Sequence, residues 1–301
     1  MKFGNARDRI TQEIVEAEDL KLLEAVDTYG YQCPGCQTHA FPRSYCGPEN
    51  LVRAHFQLRD PHVSGCEVEG ETKVIAQGKR GSVQQELETS PGLSPARLQL
   101  IEDRTIVDPA LPHTESQTQS VRRSDGATGL VRREGRRAAN SIRPICRAFL
   151  RFPFDRHLSL AIPGIAPTTY QTAFKKLRSK GLGPCPNARV FYGELAWTPA
   201  AESPEHLTIS LNAGEWEEKK LTPYQVVVLW REWSAAARGR LKNELEIARQ
   251  ENIKAKKDKQ ASRSYLFFVG AQDAKNPAIF HVLDHRLICT AHDELVFPVR
   301  S

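Results

Sequence analysis

The 301-residue chain contains no run of about 18 or more apolar residues, the length that a membrane-spanning helix needs. Its first ten residues, MKFGNARDRI, include no apolar segment of the kind that a secretory signal requires. We therefore expect a cytoplasmic protein that does not associate with membranes. In a reducing compartment, clustered cysteines bind metal more often than they form disulfides.

The signatures of several large enzyme classes are also missing. The sequence has no phosphate loop, no Gly-rich dinucleotide fingerprint, no nucleophile elbow and no His-Glu-x-x-His motif. These absences argue against P-loop NTPases, dehydrogenases and the commoner hydrolases. They leave a nuclease open, because the metal ligands of a nuclease can be scattered along the chain.

Seven cysteines are present, and four of them lie between positions 33 and 66. Cys33 and Cys36 form a Cys-x2-Cys pair, and His62 and Cys66 form a second pair. Two such pairs can supply four ligands to one tetrahedral ion. We predict a zinc site made by these four residues, with His55 as the alternative to His62. A redox dithiol would share the Cys-x2-Cys spacing, but its usual βαβ setting is missing from the surrounding sequence.

The same segment resembles the N-terminal zinc segment of competence-protein (CoiA-like) families. The resemblance rests on Cys-Pro-Gly-Cys at 33–36, on His55-Phe56 and on the His/Cys pair that follows. It implies a bacterial protein associated with incoming or mobile DNA. Members of such families often carry a restriction-type nuclease with an Asp…Glu-x-Lys constellation. The nearest fragment of that constellation here is Glu71-x-Lys73 with Asp60.

The remainder of the chain resembles uncharacterised proteins of bacterial integrative and mobile elements, a resemblance that transfers no activity. Positive charge is unevenly distributed along it. Residues 120–150 contain eight arginines and two acidic residues. Six of these arginines form three Arg-Arg pairs separated by small and polar residues, namely Arg122, Arg123, Arg132, Arg133, Arg136 and Arg137.

These arginine pairs are suited to phosphate, since the guanidinium group makes bidentate contacts to it. We expect the six to bind nucleic acid, with DNA favoured over RNA. Two alternatives stay open: an acidic partner protein from the same locus, and a solvated linker that has no partner.

The pattern as a whole predicts an α+β fold with a mostly antiparallel C-terminal sheet. Residues 233–260 place Trp233, Ala237, Leu241 and Leu245 at helical spacing among many lysines and arginines, which predicts one long basic helix. The expected divisions are a leading helix at 1–28, a zinc-binding module at 29–70, a short irregular or strand region at 71–111, an Arg-rich flexible linker at 112–140, and an α+β domain at 141–301.

Several local patterns make finer predictions. We expect strands at 72–76 and 147–154 and a short helix at 168–177 that is capped by Thr168 or Thr169. The run Val226-Val227-Val228 leaves strand and helix open for its segment. The tryptophans and Tyr192 are suited to stacking on bases, but their apolar spacing favours core packing.

A histidine pair near the C-terminus is the last candidate site. His281 and His285 flank Asp284, but no third ligand stands at a matching spacing, and the role of the pair stays open.

Three functions follow. The first is a non-enzymatic, zinc-stabilised nucleic-acid-binding or adaptor protein of a bacterial mobile element or defence system. The second is a magnesium-dependent nuclease of the competence-protein type, and the third is a structural component of a multiprotein assembly. Magnesium-dependent cleavage would identify the second, and a salt-steep affinity for DNA would separate the first from the third.

Overall fold

The computed structural model describes a mixed α/β structure over most of the chain. The described residues are 2–47, 50–89, 92–100, 136–178, 183–217 and 220–298. Within these ranges, nine of the twelve strand pairings are antiparallel. None of the helices in the same ranges combines the length and the apolar character that a bilayer crossing demands.

The N-terminal module, residues 2–66, is built from two small sheets around one apolar core. The first sheet has the strand order β1-β6-β5, and the second has the order β3-β2-β4. These strands are β1 (Lys2–Phe3), β2 (Asn5–Asp8), β3 (Ile14–Glu16), β4 (Tyr31–Gln32), β5 (Ala40–Arg43) and β6 (His55–Leu58). The shared core includes Ala6, Leu20, Tyr31 and Phe56.

The leading helix predicted for residues 1–28 is wrong. A tight turn reverses the chain after β2, where the Asp8 carboxylate accepts hydrogen bonds from the backbone N–H groups of Ile10 and Thr11. Gln12 then takes a left-handed conformation with φ of 59°, which a continuing helix does not allow. The only helical turn in this part of the described chain is the 3₁₀ segment Ala17–Leu22.

Two helices follow where we expected irregular structure or strand. They are α1 (Glu67–Gly78) and α2 (Gln84–Thr89), so the strand predicted at 72–76 is wrong. Glu and Gln, which are good helix formers, account for eight of the 18 residues in these two helices. Val68, on the first turn of α1, packs into the N-terminal core. Val74 and Ile75 pack against a larger core that belongs mainly to the C-terminal part of the chain. The helix thus bridges the two parts of the molecule.

The C-terminal body, residues 136–298, contains the two larger sheets. A four-stranded sheet has the order β17-β14-β10-β9, and a five-stranded sheet has the order β11-β12-β13-β16-β15. The strands are β9 (Phe174–Lys176), β10 (Val190–Glu194), β11 (Ala201–Glu202), β12 (His206–Glu217), β13 (Lys220–Leu229), β14 (Arg263–Val269), β15 (Ala271–Gln272), β16 (Ile279–Val282) and β17 (Ile288–Asp293). The valine run therefore lies in a strand. A further parallel pair joins β7 (Arg97–Leu98) to β8 (Ala138–Ala139).

Three helices complete the body: α3 (Ile142–Arg151), α4 (Tyr170–Ala173) and α5 (Ala235–Lys257). The helix α4 begins as predicted, because the Thr169 hydroxyl accepts a hydrogen bond from the N–H of Thr172. It ends at Ala173, however, and residues 174–176 of the predicted helix form β9. The strand predicted at 147–154 is wrong. Its apolar residues continue a buried helical face that begins at Ile142, and Pro144 sits in the first turn, where its missing N–H costs nothing.

The four-stranded sheet is covered on both faces. Successive residues of a strand point to opposite faces, so Tyr192 and Phe267 face the core beneath α3, whereas Phe191 and Phe268 face a second core. The second core also contains residues of α5 and of the five-stranded sheet. The body is therefore layered around this sheet.

A buried ion pair joins α3 to α5. Both guanidinium nitrogens of Arg143 donate to the Glu244 carboxylate, at 2.6 and 2.8 Å, and the two side chains are 2% and 6% exposed. Glu244 also accepts from the Thr290 backbone N–H at 2.5 Å, which fixes β17 to the same point. Burial opposes ionisation, yet the Arg143 guanidinium, by charge and by hydrogen bonds, holds the pKa of Glu244 at about 2.

Further ion pairs radiate from this point to the N-terminal module. Arg147 of α3 bonds to Glu16 and Glu18, Arg240 of α5 bonds to Asp19, and Arg53 forms a bidentate pair with Glu251. We call these contacts, together with Arg143–Glu244, the junction network. The N-terminal module therefore meets the body largely through charged side chains.

The junction network predicts a large cost for removing one partner of its central pair. Glu244→Gln leaves the Arg143 charge buried without a carboxylate, and we expect the free energy of unfolding to fall by about 3–5 kcal/mol. Lys242→Gln is the matched control on the same helix, because the Lys242–Glu202 pair is about half exposed. In urea unfolding, Lys242→Gln should lower the free energy of unfolding by less than about 1 kcal/mol. Equal losses in the two variants would contradict the role assigned to the Arg143–Glu244 pair.

The same pair predicts a pH dependence. The folded pKa of Glu244, about 2, lies below the ordinary value of 4.5. Its ionisation therefore contributes to the free energy of unfolding. This contribution is at its maximum above pH 4.5 and is lost as the pH falls towards 2. Wild-type stability should drop more steeply across this interval than that of Glu244→Gln.

Candidate metal centre

Three short segments bring four ligand atoms together in the N-terminal module. Cys33 follows β4, and the chain turns back at once, since Cys33 N–H donates to Thr38 O at 2.7 Å and Gln37 N–H donates to Cys33 O at 3.1 Å. This turn carries Cys36 to the same side as Cys33. His62 lies in the loop after β6, and Cys66 occupies the N-cap position of α1.

The four donor atoms converge closely. Cys33 Sγ lies 3.5 Å from His62 Nδ1 and 3.7 Å from Cys66 Sγ, and Cys36 Sγ lies 3.4 Å from His62 Nδ1. All four atoms lie within 4.8 Å of one another, and no other group of this kind occurs among the described residues. Cys33, Cys36, His62 and Cys66 can therefore hold a metal ion.

The thiols differ in their readiness to ionise. Desolvation raises the pKa of Cys33 to about 12. Burial acts in the same direction on Cys36, but hydrogen bonds from Thr38 and from the Val63 N–H outweigh it and lower the pKa of Cys36 to about 5. A bound cation favours the thiolate form of all such ligands, so metal binding would release protons here.

Thr38 is a neighbour that the sequence did not point to. Its hydroxyl lies 3.2 Å from Cys36 Sγ, and its carbonyl closes the turn at Cys33. A hydroxyl residue two positions after a Cys-x2-Cys pair is the only signal that could have indicated it. Such outer contacts orient the ligands of a metal site.

The other candidate ligands lie outside the cluster. His55, the predicted alternative, sits on β6 with Nδ1 3.1 Å from the carbonyl of Arg53. His39 packs against Phe41 with ring centroids 4.1 Å apart, and Cys46 is exposed. The structure therefore distinguishes His62 from His55, which the spacing alone left open.

The histidine pair near the C-terminus does not form a second metal site. His281 Nε2 lies 3.1 Å from Asp273 Oδ2, whereas the His285 carbonyl accepts from Arg240 and its ring stands edge-on to Trp233. Within the described part of the chain, the two rings serve separate contacts.

Two of the six predicted phosphate-binding arginines have structural roles. Arg136 donates to the carbonyls of Ser94, Pro95 and Ser159, and its guanidinium lies 5.6 Å from the centre of the Tyr170 ring. Arg137 pairs with Glu16 at 3.3 Å. Arg136 thus holds parts of the folded body together, and Arg137 joins the body to the N-terminal module; neither contact was predicted from the sequence.

The remaining four, Arg122, Arg123, Arg132 and Arg133, lie outside the described residues, as does the predicted linker up to residue 135. Residues 136–140, which we also assigned to the linker, belong to the body, because β8 pairs with β7 there. The domain boundary predicted at 140 therefore falls inside folded structure.

The tryptophans divide into two groups. Trp230 and Trp233 are buried, and their indole N–H groups donate to the carbonyls of Ser203 and Leu283. Trp197 and Trp216 are 44% and 58% exposed, so the core packing predicted for them is wrong.

The nuclease fragment is not assembled as that chemistry requires. Glu71 and Lys73 lie on α1, where side chains two residues apart point in different directions, and Asp60 is exposed on the loop after β6. These three residues therefore do not form the Asp…Glu-x-Lys constellation, of which the sequence contained only a fragment.

Comparison with known proteins gives no relative from which function could be transferred: no protein-family model, no curated protein and no solved structure matches the chain. The metal cluster and the surfaces of the described residues therefore carry the functional argument by themselves.

The cluster predicts one equivalent of bound metal per chain. Cys33→Ser, Cys66→Ser and His62→Ala should each reduce the metal content of freshly purified protein by more than about half, because structural sites need their full ligand set. Elemental analysis by mass spectrometry measures this directly.

Three matched variants serve as controls for this experiment. Cys46→Ser, His39→Ala and His55→Ala remove potential ligands that lie outside the cluster, and each should keep the full equivalent. A loss of metal in His55→Ala together with its retention in His62→Ala would show that the ligand set is wrong.

Proposed function

We propose that the metal held by Cys33, Cys36, His62 and Cys66 is zinc. A tetrahedral zinc ion with Zn–S near 2.3 Å and Zn–N near 2.0 Å separates two sulfurs by about 3.8 Å, and a sulfur from a nitrogen by about 3.5 Å. The corresponding distances here are 3.7 Å for sulfur to sulfur, and 3.5 and 3.4 Å for sulfur to nitrogen. Three thiolates and an imidazole are a donor set that zinc prefers.

A site of this kind is structural in character, because four protein ligands leave no position for a substrate or a reactive water. Cys33, Cys36 and Cys66 all pack in or against the N-terminal core. Zinc would tie the turn after β4 to the start of α1, and α1 continues to the body. Its contribution is then stability of the N-terminal module.

We further propose that the protein binds nucleic acid through exposed positive charge. The observation that carries this is a surface at the end of α5, where Lys254, Lys256, Lys257 and Lys259 are all exposed. The Lys256 ammonium lies 3.9 Å from the centre of the exposed Trp197 ring. We call these five residues the lysine–tryptophan patch.

The patch has the two features that bind a polyanion. Within the described part of the chain, none of its four lysines forms an ion pair, so their charges are available to phosphate. An exposed indole can stack on a base, a contact that tolerates any sequence. By contrast, Lys242 and Arg249, earlier on the same helix, are paired with carboxylates.

Arg122, Arg123, Arg132 and Arg133 add four positive charges to this proposal from the sequence alone. DNA is the favoured polyanion, and a bacterial mobile-element or defence system is the favoured setting, on the strength of the resemblance to competence proteins. An adaptor role for a protein of the same locus is the alternative use of the same charges.

The patch predicts a salt-dependent affinity. If four to six phosphates are contacted on duplex DNA, log K should fall against log salt with a slope of roughly −4 to −5. Replacing the four patch lysines by Gln should flatten the slope by about 3 to 4, because each lost contact removes about 0.9. Fluorescence anisotropy with a labelled duplex measures both slopes.

The control for this experiment is the double variant Lys242→Gln, Arg249→Gln, which removes two paired charges from the same helix. Its slope should stay within about one of the wild type. The absence of binding to both DNA and RNA in about 50 mM salt, where attraction is weakly screened, would end the nucleic-acid proposal and favour the adaptor role.

A further inference from the structure

A second basic surface surrounds a cavity on the α3 side of the four-stranded sheet. The cavity has a volume of about 460 Å³ and lies between the end of α3, the strands β9 and β10, and the C-terminal segment. Its lining includes Arg156, Lys176 and Arg178 but no carboxylate. Its volume falls in the range of about 300–1,000 Å³ that is usual for small-molecule sites.

Arg156 is the most unusual residue of this cavity. Its side chain is buried, with 7% of the residue exposed, and its Nε donates to the Phe149 carbonyl at 3.0 Å. Its Nη2 is also buried and has no acceptor within the described residues. The guanidinium carbon lies 4.0 Å from the centre of the Phe149 ring. Desolvation lowers the pKa of Arg156 to about 10, so the group is still charged at neutral pH.

Other buried arginines of the molecule have carboxylate partners. Arg143 is matched by Glu244, and Arg240 is matched by Asp19. Among the described residues, no carboxylate lies within ion-pairing distance of Arg156, and none lines its cavity. A buried cation without a counter-charge is costly, and an anion from outside the chain would remove that cost.

The mouth of the cavity adds positive charge and flat apolar surface. Lys176 and Arg178 are exposed there. Phe154 and Phe297 are 36% and 55% exposed, and the Phe297 ring lies 5.3 Å from the Arg156 guanidinium. A phosphate accepts strong hydrogen bonds from guanidinium groups, and an exposed aromatic ring stacks on a base.

We infer that this cavity binds a nucleoside phosphate, with the phosphate on Arg156, Lys176 and Arg178 and the base against Phe154 or Phe297. The choice of a nucleotide as the anion rests on the nucleic-acid binding proposed above. A free mononucleotide and a nucleotide of an unpaired strand share this chemistry.

The test is a calorimetric titration of the full-length, metal-loaded protein with thymidine 5′-monophosphate, thymidine and inorganic phosphate. The monophosphate should bind at least about tenfold more tightly than either fragment, because only it engages both the cations and the rings. Equal affinity for the monophosphate and thymidine, or no binding of the monophosphate at 1 mM, roughly the weak limit for a specific site, would overturn the inference.

Two exposed positions keep the test independent of folding. Arg178→Gln and Phe297→Ala alter the mouth and should leave metal content and circular dichroism unchanged, yet each should weaken the monophosphate by about threefold to tenfold. Arg156→Met should weaken it further. Arg249→Gln is the control, since Arg249 pairs with Glu246 outside the cavity. Unchanged affinity in both mouth variants would refute the site.

A labelled oligothymidylate separates the two sources of the ligand. If the mouth variants weaken binding of the oligothymidylate and the monophosphate displaces it, the cavity holds a nucleotide of a strand. If binding of the oligothymidylate is unaffected while the monophosphate still binds, the ligand is a free nucleotide. Duplex binding that depends on the lysine–tryptophan patch, without any monophosphate binding, would refute this site and leave the proposed function standing. Monophosphate binding without duplex binding would support this site and refute the proposed function.

Discussion

The ion pair between Arg143 and Glu244 is the contact on which the arrangement of the molecule depends. A buried charge without a partner is costly, so the pairing of these two side chains favours the packing of α3 against α5 at this point. The hydrogen bond from the Thr290 N–H to the Glu244 carboxylate attaches β17 at the same point. One helix pair and the adjacent strand are thus fixed by a single carboxylate rather than by apolar packing alone.

The N-terminal module is added to this centre through further charges. Asp19, Glu16 and Glu18 receive arginines from α5 and α3, and Arg53 returns a bidentate contact to Glu251. These contacts need the module to present its carboxylates in fixed positions. The three cysteines of the candidate metal cluster lie in or against the same small core as Ala17 and Leu20 of the 3₁₀ segment, which also carries Glu18 and Asp19. Since one core supports both the candidate metal cluster and the carboxylates that dock the module, we expect metal binding to stabilise both.

The positive charges of the molecule therefore fall into two groups. The guanidinium group of Arg136, which donates to backbone carbonyls, and the ion pairs of Arg137 and of the junction network hold the fold together. Positive charges that have no carboxylate partner in the described residues lie exposed at the end of α5 or around the cavity at Arg156. Since most of the arginines and lysines named here are paired, the net charge of +6 says little about function, whereas the unpaired groups say more.

What the sequence could predict was local. The four residues of the candidate metal cluster were predicted because Cys-x2-Cys and His-x3-Cys are short spacings with a direct chemical meaning, and the cap at Thr168 or Thr169 was predicted from a similarly local pattern. The strand at 147–154 was wrong because an apolar segment that is buried on most sides has no clear period. The leading helix was wrong because a three-residue turn at Asp8 outweighs a weak helical pattern.

Long-range pairing was beyond the sequence. Nothing near Arg136 indicates that carbonyls of Ser94 and Ser159 will surround it, and nothing near Arg143 indicates Glu244, about 100 residues later. Such partners become visible only when the chain is folded.

Hydrogen exchange measured by mass spectrometry, with and without a metal chelator, tests the central claim that the metal-bearing module and the body form one unit through the junction network. The account predicts that chelation lowers amide protection in residues 31–66 and also in the peptides of α3, α5 and β17 that contain Arg143, Glu244 and Thr290. Loss of protection confined to residues 31–66, with these three elements unchanged, would contradict it.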